Sequence, residues 1–301
     1  MPPVTPPSKA RVFFRRLASF TVLWTLVLAA LFSPYKTVSD YVFLLIMVFL
    51  AAAGLAEFYG MAGKTGLPCY AGWGMFGGVL LLAATFVDCS GQFGWSARPS
   101  KVNDFESSFF ILFVLGLCIR QFLSRRTTTG IAAISTTLFG LMYVPWLLNF
   151  IQKINFFSPP VEGHYYLLYF MLVTKFSDSG AYAVGSLIGR HKMIPRISPG
   201  KTWEGFAGAV VVSTAASVLF ASLAGRHLAG MTPWHAVILG VILSVGAVVG
   251  DLIESLFKRE AGLKDSGRLF PGIGGILDLL DSLLFNAPLM YLYLRHILTH
   301  P

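Results

Sequence analysis

An all-α membrane protein with about nine spanning helices is the fold class that this sequence predicts, from its composition and its pattern of apolar runs. Of its 301 residues, 55% are hydrophobic and only 12% are charged, whereas soluble domains carry about 25% charged residues. A helix that crosses a bilayer needs roughly 20 mostly apolar residues. Runs of this kind predict spans at residues 17–33, 41–60, 70–88, 107–123, 131–151, 165–189, 205–225, 234–257 and 276–298.

The distribution of basic residues predicts the orientation of these spans. Most of the 23 Lys and Arg residues fall in the N-terminal tail or in loops on one side of the predicted bundle. Cytoplasmic segments of membrane proteins are enriched in Lys and Arg. We therefore expect a plasma-membrane protein with a cytoplasmic N-terminus and, after nine spans, an external C-terminus. The net charge of +9 then indicates contact with membrane lipids and no binding of nucleic acid.

Polar residues divide the chain into three predicted regions. Residues 1–16 form a basic tail, residues 17–164 form N-terminal spans that serve packing, and residues 165–301 form a catalytic domain. Glycine-rich stretches in the first half predict close helix contacts and, through them, a homodimer. Glu57 and Asp88 are interpreted there as charges at span ends. Eight of the 14 acidic residues lie between positions 178 and 281, and because charges inside spans usually mark function, we expect one polar cavity.

The end of the eighth predicted span carries the first candidate group. Spacings of three, four and seven place Asp251, Glu254, Ser255 and Lys258 on one helix face. Deep carboxylates would bind a hard divalent cation together with phosphate oxygens. Lys258 and Arg259, nearer the surface, would neutralise the remaining phosphate charge. The alternative is a helix end held by salt bridges.

The following loop and the start of the last span carry the second group. A proline and four glycines separate charged loop residues from two carboxylates that share one face of the last helix. Glycine lets the backbone approach a ligand closely, and a helix N-terminus binds anions, so we expect phosphate here. A tight turn between helices is the alternative. The candidates are Lys264, Asp265, Gly274, Gly275, Asp278 and Asp281.

A third segment lies directly before the seventh span. Ser198 followed by Pro199 is typical of an N-cap and a first helical residue, so the Ser198 hydroxyl, Lys201 and Thr202 would bind phosphate. The segment is not a P-loop, because Pro195 stands where that motif has its first glycine. An ordinary cytoplasmic loop is the alternative.

The fourth segment lies within the sixth span. Lys175 and Asp178 are three residues apart in an otherwise apolar helix. Their placement predicts a wall of the polar cavity, and simple mutual neutralisation is the alternative.

These segments, in this order, resemble the phosphatidate cytidylyltransferase (CDP-diacylglycerol synthase) family over roughly residues 170–290. The family-like stretches at residues 178–182 and 198–205 precede a signature of Ser-x-x-Lys-Arg, Lys-Asp, Pro-Gly-His-Gly-Gly and Asp-Arg-x-Asp. Ile273 replaces the family His and Leu279 replaces the Arg, so neither family side chain is essential if this chain is active. The matching positions hold Ser255, Lys258, Arg259, Lys264, Asp265, Pro271, Gly272, Gly274, Gly275, Asp278 and Asp281.

The resemblance implies a reaction of CTP with phosphatidate that gives CDP-diacylglycerol and pyrophosphate, with Mg²⁺ as cofactor. Asp251 and Asp278 would hold the metal ion, and charge neutralisation with in-line positioning would suffice without the His. Asp265 and Asp281 would orient cations or a second metal ion. The other catalytic candidates are Lys258 and Lys264. The implied substrate-binding residues are Asp178, Ser198, Lys201, Thr202, Ser255, Arg259, Gly274 and Gly275.

Two alternatives to this function remain open on the sequence. A CTP-dependent lipid kinase would release CDP, whereas cytidylyl transfer releases pyrophosphate. An ion-coupled transporter would also use carboxylates inside the membrane. Against it, the two halves show no matching pair of broken spans, and the charges cluster at one predicted membrane face.

Overall fold

A computed structural model describes residues 21, 24–90, 99–124, 129–157, 162–267, 269 and 274–299, apart from the side chains of residues 99–104. These residues form a helical bundle with one small hairpin, which confirms the predicted all-α class. Residues 24–32 form helix α1. The other helices are α2 (Lys36–Lys64), α3 (Ala71–Ser90), α4 (Pro99–Phe122), α5 (Gly130–Leu141), α6 (Leu147–Asn155), α7 (Gly163–Ile188), α8 (Trp203–Ala224), α9 (Pro233–Glu260) and α10 (Ile276–Tyr293).

Seven helical segments of the described part are long and apolar enough to cross a membrane, and each matches a predicted span. They are Lys36–Lys64, Ala71–Ser90, Phe105–Phe122, Gly130–Asn155, Trp203–His227, Pro233–Glu260 and Ile276–Leu298. The fourth joins α5 to α6 through a π-helical turn that contains Pro145, whose missing N–H such a turn accommodates. α7 matches another predicted span, is 26 residues long and carries two charged residues. The predicted span 17–33 lies partly outside the described residues.

The segment before α8 differs from its prediction as a loop with Ser198 as the N-cap. It forms an antiparallel hairpin of β1 (Lys192–Ile194) and β2 (Ser198–Thr202). The N-cap is Thr202, whose Oγ1 accepts a hydrogen bond from the amide of Gly205 at 3.1 Å. The prediction was wrong because pairing with β1 holds Ser198 in an extended strand, where the missing N–H of Pro199 is tolerated.

One buried core contains side chains from both halves of the chain. Tyr166 and Phe170 of α7 are fully buried, as are Leu55 of α2 and Leu284 of α10. α10 contacts α2, α6, α7 and α9. Helices in a membrane associate through such packing. The start of α10 is therefore held by helices from both halves.

A buried ion pair joins α4 to α6 in the first half. The Lys153 Nζ atom lies 2.6 Å from Oε2 of Glu106, and Asn149 donates to Oε1 of Glu106 at 2.8 Å. Both charged side chains are less than 10% exposed. Buried charges are tolerated when they are paired and hydrogen-bonded, so this pair fixes the packing of two N-terminal helices.

Glycines bring helices into close contact, as the sequence predicted. A Cβ atom on Gly78 of α3 would lie 2.8 Å from the Pro145 ring, and Gly74 similarly faces the Tyr59 ring. Both contacts lie within one chain. They give the glycine pattern of the first half an intramolecular explanation, so the homodimer stays a prediction.

α7 and α8 make the corresponding contact in the second half. A Cβ atom on Gly180 would lie 2.7 Å from the carbonyl oxygen of Gly208, and a Cβ atom on Gly208 would lie 2.9 Å from the carbonyl oxygen of Gly180. Only glycine lets the two backbones approach this closely. The contact fixes the α7 residues that border the functional site.

We predict that Gly208→Ala lowers the free energy of unfolding by about 1–3 kcal/mol, because its Cβ atom overpacks the α7 contact. Thermal unfolding of the detergent-solubilised protein measures the change. Gly60→Ala in α2 is the matched control, because its Cβ atom meets nothing within 4 Å. In a helix, that change leaves stability equal or raises it by about 0.5–1 kcal/mol. Equal unfolding temperatures for the two variants would contradict the α7–α8 contact.

Candidate active site

A cavity of about 470 Å³ lies at the end of the bundle where α7 and α9 end and α8 and α10 begin. Its wall combines these four helices with the hairpin. The predicted convergence on one cavity is confirmed for eight of the candidate side chains. These are Lys175, Asp178, Ser198, Lys201, Thr202, Asp251, Asp278 and Asp281.

Asp251 lies on the α9 side of the cavity between two partners. Lys201 Nζ lies 2.8 Å from Oδ2 of Asp251, and the Ser255 hydroxyl donates to Oδ1 at 3.3 Å. Lys201 also donates to the carbonyl oxygen of Val248 at 3.0 Å. Lys201 of the hairpin thus forms an ion pair with Asp251, which α9 places in the cavity.

Lys258 joins two carboxylates on different helices. Its Nζ atom forms an ion pair with Glu254, one turn earlier on α9, and lies 2.6 Å from Oδ1 of Asp278 on α10. The Glu254 side chain is 0% exposed and the Lys258 side chain is 10% exposed. With both carboxylates ionised, the three groups carry a net negative charge. A buried negative charge of this kind favours a further cation nearby.

The turn before α10 sets the position of Asp278. Its Oδ2 atom accepts hydrogen bonds from the amide of Ser266 at 2.9 Å and from the amide of Gly275 at 2.8 Å. Gly274 has a φ of +120°, a conformation that favours glycine. Because the Gly275 amide already donates to Asp278, it is not free for phosphate. The phosphate-binding roles of Gly274 and Gly275 stay predictions.

Lys175 and Asp178 of α7 line the cavity and contact α10 directly. Their charged atoms lie 3.4 Å apart, so the predicted local pair exists. Lys175 also donates to the carbonyl oxygen of Leu279 at 3.2 Å and to the Ser282 hydroxyl at 3.1 Å. The pair therefore ties α7 to α10 and also borders the cavity.

The remaining predicted residues lie outside the cavity lining. Arg259 donates from Nε to the carbonyl oxygen of Ile197 at 3.1 Å and so supports the hairpin. Lys264 and Asp265 are exposed in the loop after α9. Ile273, at the position of the family His, lies outside the described residues. The structure leaves the roles predicted for these residues as predictions.

Sequence reasoning missed the role of Glu57. Glu57, interpreted as a charge at a span end, accepts hydrogen bonds from the amides of Ile276 and Leu277, both at 2.9 Å. The available signal was a carboxylate inside the predicted span 41–60. Glu254 lies on the same helix face as Asp251, as its spacing predicted, and its carboxylate is buried.

One group of carboxylates has the spacing of a metal site. Ligand atoms of Asp251, Glu254 and Asp281 all lie within 4.8 Å of one another. Oxygen ligands from carboxylates are those that Mg²⁺ and Ca²⁺ prefer. Asp278, predicted as the second metal ligand, borders the same cavity but has its Oδ1 atom beside Lys258.

Comparison with known proteins identifies relatives of this chain. A phosphatidate cytidylyltransferase from Mycobacterium bovis is 37% identical over 190 residues, which cover 61% of this chain and 60% of that protein. The Mycobacterium leprae protein of the same name is 42% identical over 153 residues, 51% of this chain and 47% of that protein. The chain thus spans about half to three fifths of the mycobacterial relatives. A Staphylococcus haemolyticus phosphatidate cytidylyltransferase is 33% identical over 221 residues, 73% of this chain and 78% of that protein.

The model of the cytidylyltransferase family matches residues 15–297. This match covers nearly all of the chain and includes every residue that borders the cavity. The chain belongs to the cytidylyltransferase family.

Proposed function

We propose that this protein transfers the cytidylyl group of CTP to phosphatidate and releases pyrophosphate. The observation that carries the proposal is the cavity in which Asp251, Asp278 and Asp281 lie together with Lys201. The names of the relatives support this choice of reaction and lipid. A phosphate oxygen of phosphatidate attacks the α-phosphorus of CTP. The bond from that phosphorus to the oxygen bridging to the β-phosphate breaks, and pyrophosphate leaves with the electron pair.

The reaction needs charge neutralisation more than it needs a general base. The attacking oxygen of phosphatidate is already anionic, so no side chain has to remove a proton from it. The Ile273 and Leu279 departures are therefore compatible with activity. What the protein supplies is orientation of two anionic substrates and compensation of their charge.

The carboxylates fit the predicted Mg²⁺. Asp251 and Asp278 would hold it, and Glu254 and Asp281 lie close enough to Asp251 to complete its site or to hold a second cation. When bound, the ion would neutralise phosphate charge and orient the triphosphate. The buried Glu254 carboxylate has Lys258 as its cationic partner, and Lys258 also serves Asp278. Two carboxylates therefore share one ammonium group, and a bound cation would compensate the carboxylate charge that Lys258 leaves unbalanced.

Basic side chains would compensate the charge of the substrate phosphates. Lys201 borders the cavity directly, and Lys258 contacts Asp278, which borders it. Arg259 holds the hairpin, and Lys264 lies in the exposed loop beyond α9. We therefore assign Lys201 and Lys258 to the reacting phosphates, and Arg259 and Lys264 to the cavity entrance. The Ser198 and Thr202 side chains would donate hydrogen bonds to the nucleotide.

Lys175 would supply a cation beside the α10 turn where the family has Arg and this chain has Leu279. Its Nζ atom lies 3.2 Å from the carbonyl oxygen of Leu279 and 3.4 Å from Asp178. A charge in the middle of a spanning helix is costly and usually functional. In this proposal, the positive charge of Lys175 offsets the negative charge of Asp178 on the α7 side of the cavity.

The cavity would face the cytoplasm from the plasma membrane. Lys64, Lys192 and Lys264 lie at the same end of the bundle as the cavity, as the enrichment of basic residues on the inner side requires. CTP would enter from that side. Phosphatidate would reach the cavity from the surrounding lipid leaflet, with its acyl chains left in the membrane.

The proposed reaction predicts which products form. Purified protein in detergent with phosphatidate, Mg²⁺ and cytidine-labelled CTP should move the label into the lipid phase and release one pyrophosphate per labelled lipid. Both products follow from attack at the α-phosphorus. Separate measurement of lipid-phase label and of pyrophosphate checks the ratio. Release of CDP with unlabelled phosphorylated lipid would instead identify a lipid kinase, and cation flux without either product would identify a transporter.

A further prediction concerns Asp251, the proposed metal ligand. Asp251→Asn should lower kcat about 100-fold or more, because it removes charge from the group that holds the cation and Lys201. Glu162→Gln is the control, because Glu162 lies at the opposite end of α7 and pairs with His227 at 3.0 Å. That variant should keep wild-type turnover. An Asp251→Asn protein with unchanged turnover and unchanged Mg²⁺ dependence contradicts the metal assignment.

A further inference from the structure

Glu57 of α2 reaches across the bundle to the start of α10. Its Oε1 atom accepts a hydrogen bond from the amide of Ile276, and its Oε2 atom accepts one from the amide of Leu277, each at 2.9 Å. The Ser266 hydroxyl donates to the same Oε2 atom at 2.9 Å. One carboxylate from the first half thus binds two segments of the second half.

These contacts satisfy donors that a helix leaves open. The first four amides of a helix lack partners within it, and a negative charge is favourable at that end. Glu57 takes the amides of Ile276 and Leu277, while the amide of Asp278 donates to the Ser266 hydroxyl at 3.3 Å. Glu57 thus supplies a negative charge at the helix N-terminus where the sequence predicted a phosphate.

The surrounding glycines leave space for the Glu57 carboxylate, and larger residues in their place would fill that space. A Cβ atom on Gly267 or on Gly275 would collide with the Glu57 carboxylate. One turn before Glu57, a Cβ atom on Gly54 would lie 2.9 Å from the Val144 side chain and 3.4 Å from the Leu277 side chain. The glycines on both sides let α2 and the turn approach closely enough for the hydrogen bonds.

Ser266 connects this contact to the proposed metal ligand. Its hydroxyl oxygen lies 2.9 Å from Oε2 of Glu57 and 2.9 Å from Oδ2 of Asp278. The amides of Ser266 and Gly275 also donate to that Oδ2 atom. The backbone that orients Asp278 is therefore the backbone that Glu57 holds, and the Oδ1 atom of Asp278 is left facing Lys258.

We infer that Glu57 is a positioning residue that fixes the carboxylate of Asp278 in the active cavity. The inference rests on the proposed function, because Asp278 is a metal ligand only within it. Glu57 touches neither reacting group. It acts by holding Ser266 and the amides of Ile276 and Leu277, so its loss should reduce turnover more than nucleotide binding.

Glu57→Gln tests this role, with Glu106→Gln as the matched control. Both carboxylates lie in the first half, and Glu106 also accepts hydrogen bonds, from Asn149 and Lys153, but far from the turn. Two quantities are measured on the full-length protein in detergent. They are the hydrogen exchange of peptides that contain Ile276 and Leu277, and the kcat and KM for CTP. Glu57→Asp, which keeps the charge, is the conservative variant.

We expect Glu57→Gln to speed exchange at the start of α10 and to lower kcat about 10- to 100-fold, with KM changed less than about threefold. Glu57→Asp should recover part of kcat. Glu106→Gln should leave exchange at this turn and kcat at wild-type values, even where its unfolding temperature falls.

Faster exchange with an unchanged kcat would overturn the inference, because Glu57 would then only cap the helix. Equal losses of kcat in Glu57→Gln and Glu106→Gln would overturn it as well, because they would reflect general destabilisation. A wild-type protein without cytidylyl transfer would instead refute the proposed function, and the exchange data would still decide whether Glu57 holds the turn.

Discussion

The contact of Lys258 with Glu254 and Asp278 is the interaction on which the rest of the site depends. A charge within a membrane protein has to be paired, and here one ammonium group serves a carboxylate of α9 and a carboxylate of α10. The shared Lys258 contact therefore fixes the position of α9 along the axis of α10. Asp251 on α9 and Asp281 on α10 then fall within ligand distance of each other, and the hairpin closes the cavity through Lys201.

The two lysines that border the cavity, and Lys258 beside it, are paired with carboxylates in the described structure: Lys201 with Asp251, Lys175 with Asp178, and Lys258 with Glu254 and Asp278. In the proposed function the carboxylates would hold the metal ion, and the lysines would compensate the phosphate charge of CTP and phosphatidate. The same side chains would thus provide the charges of both signs that the two substrates and the ion require. The first half of the chain contributes to this arrangement through Glu57 and through the packing of α2 against α10.

The sequence predicted the helical class, seven spans confirmed by the structure and the convergence of eight side chains, because long apolar runs and charges inside them leave few alternatives. It did not predict the hairpin, because the pairing of Lys192 with Thr202 is a contact between short segments without hydrophobic alternation. It also placed the N-cap of α8 at Ser198, where strand pairing decides otherwise. The contact of Glu57 with α10 was not predicted, because its partners are backbone amides about 220 residues away. The local sequence pattern of α2 gives no information on so distant a contact.

In the proposed function, a metal ion and the CTP triphosphate meet in the cavity beside Asp251. A crystal structure with Mn²⁺ in place of Mg²⁺ and a non-hydrolysable CTP analogue tests this placement, with anomalous scattering used to locate the metal. We expect an anomalous peak bonded to a carboxylate oxygen of Asp251, with the triphosphate against Lys201. A nucleotide bound with its metal ion away from Asp251, Asp278 and Asp281 would contradict it.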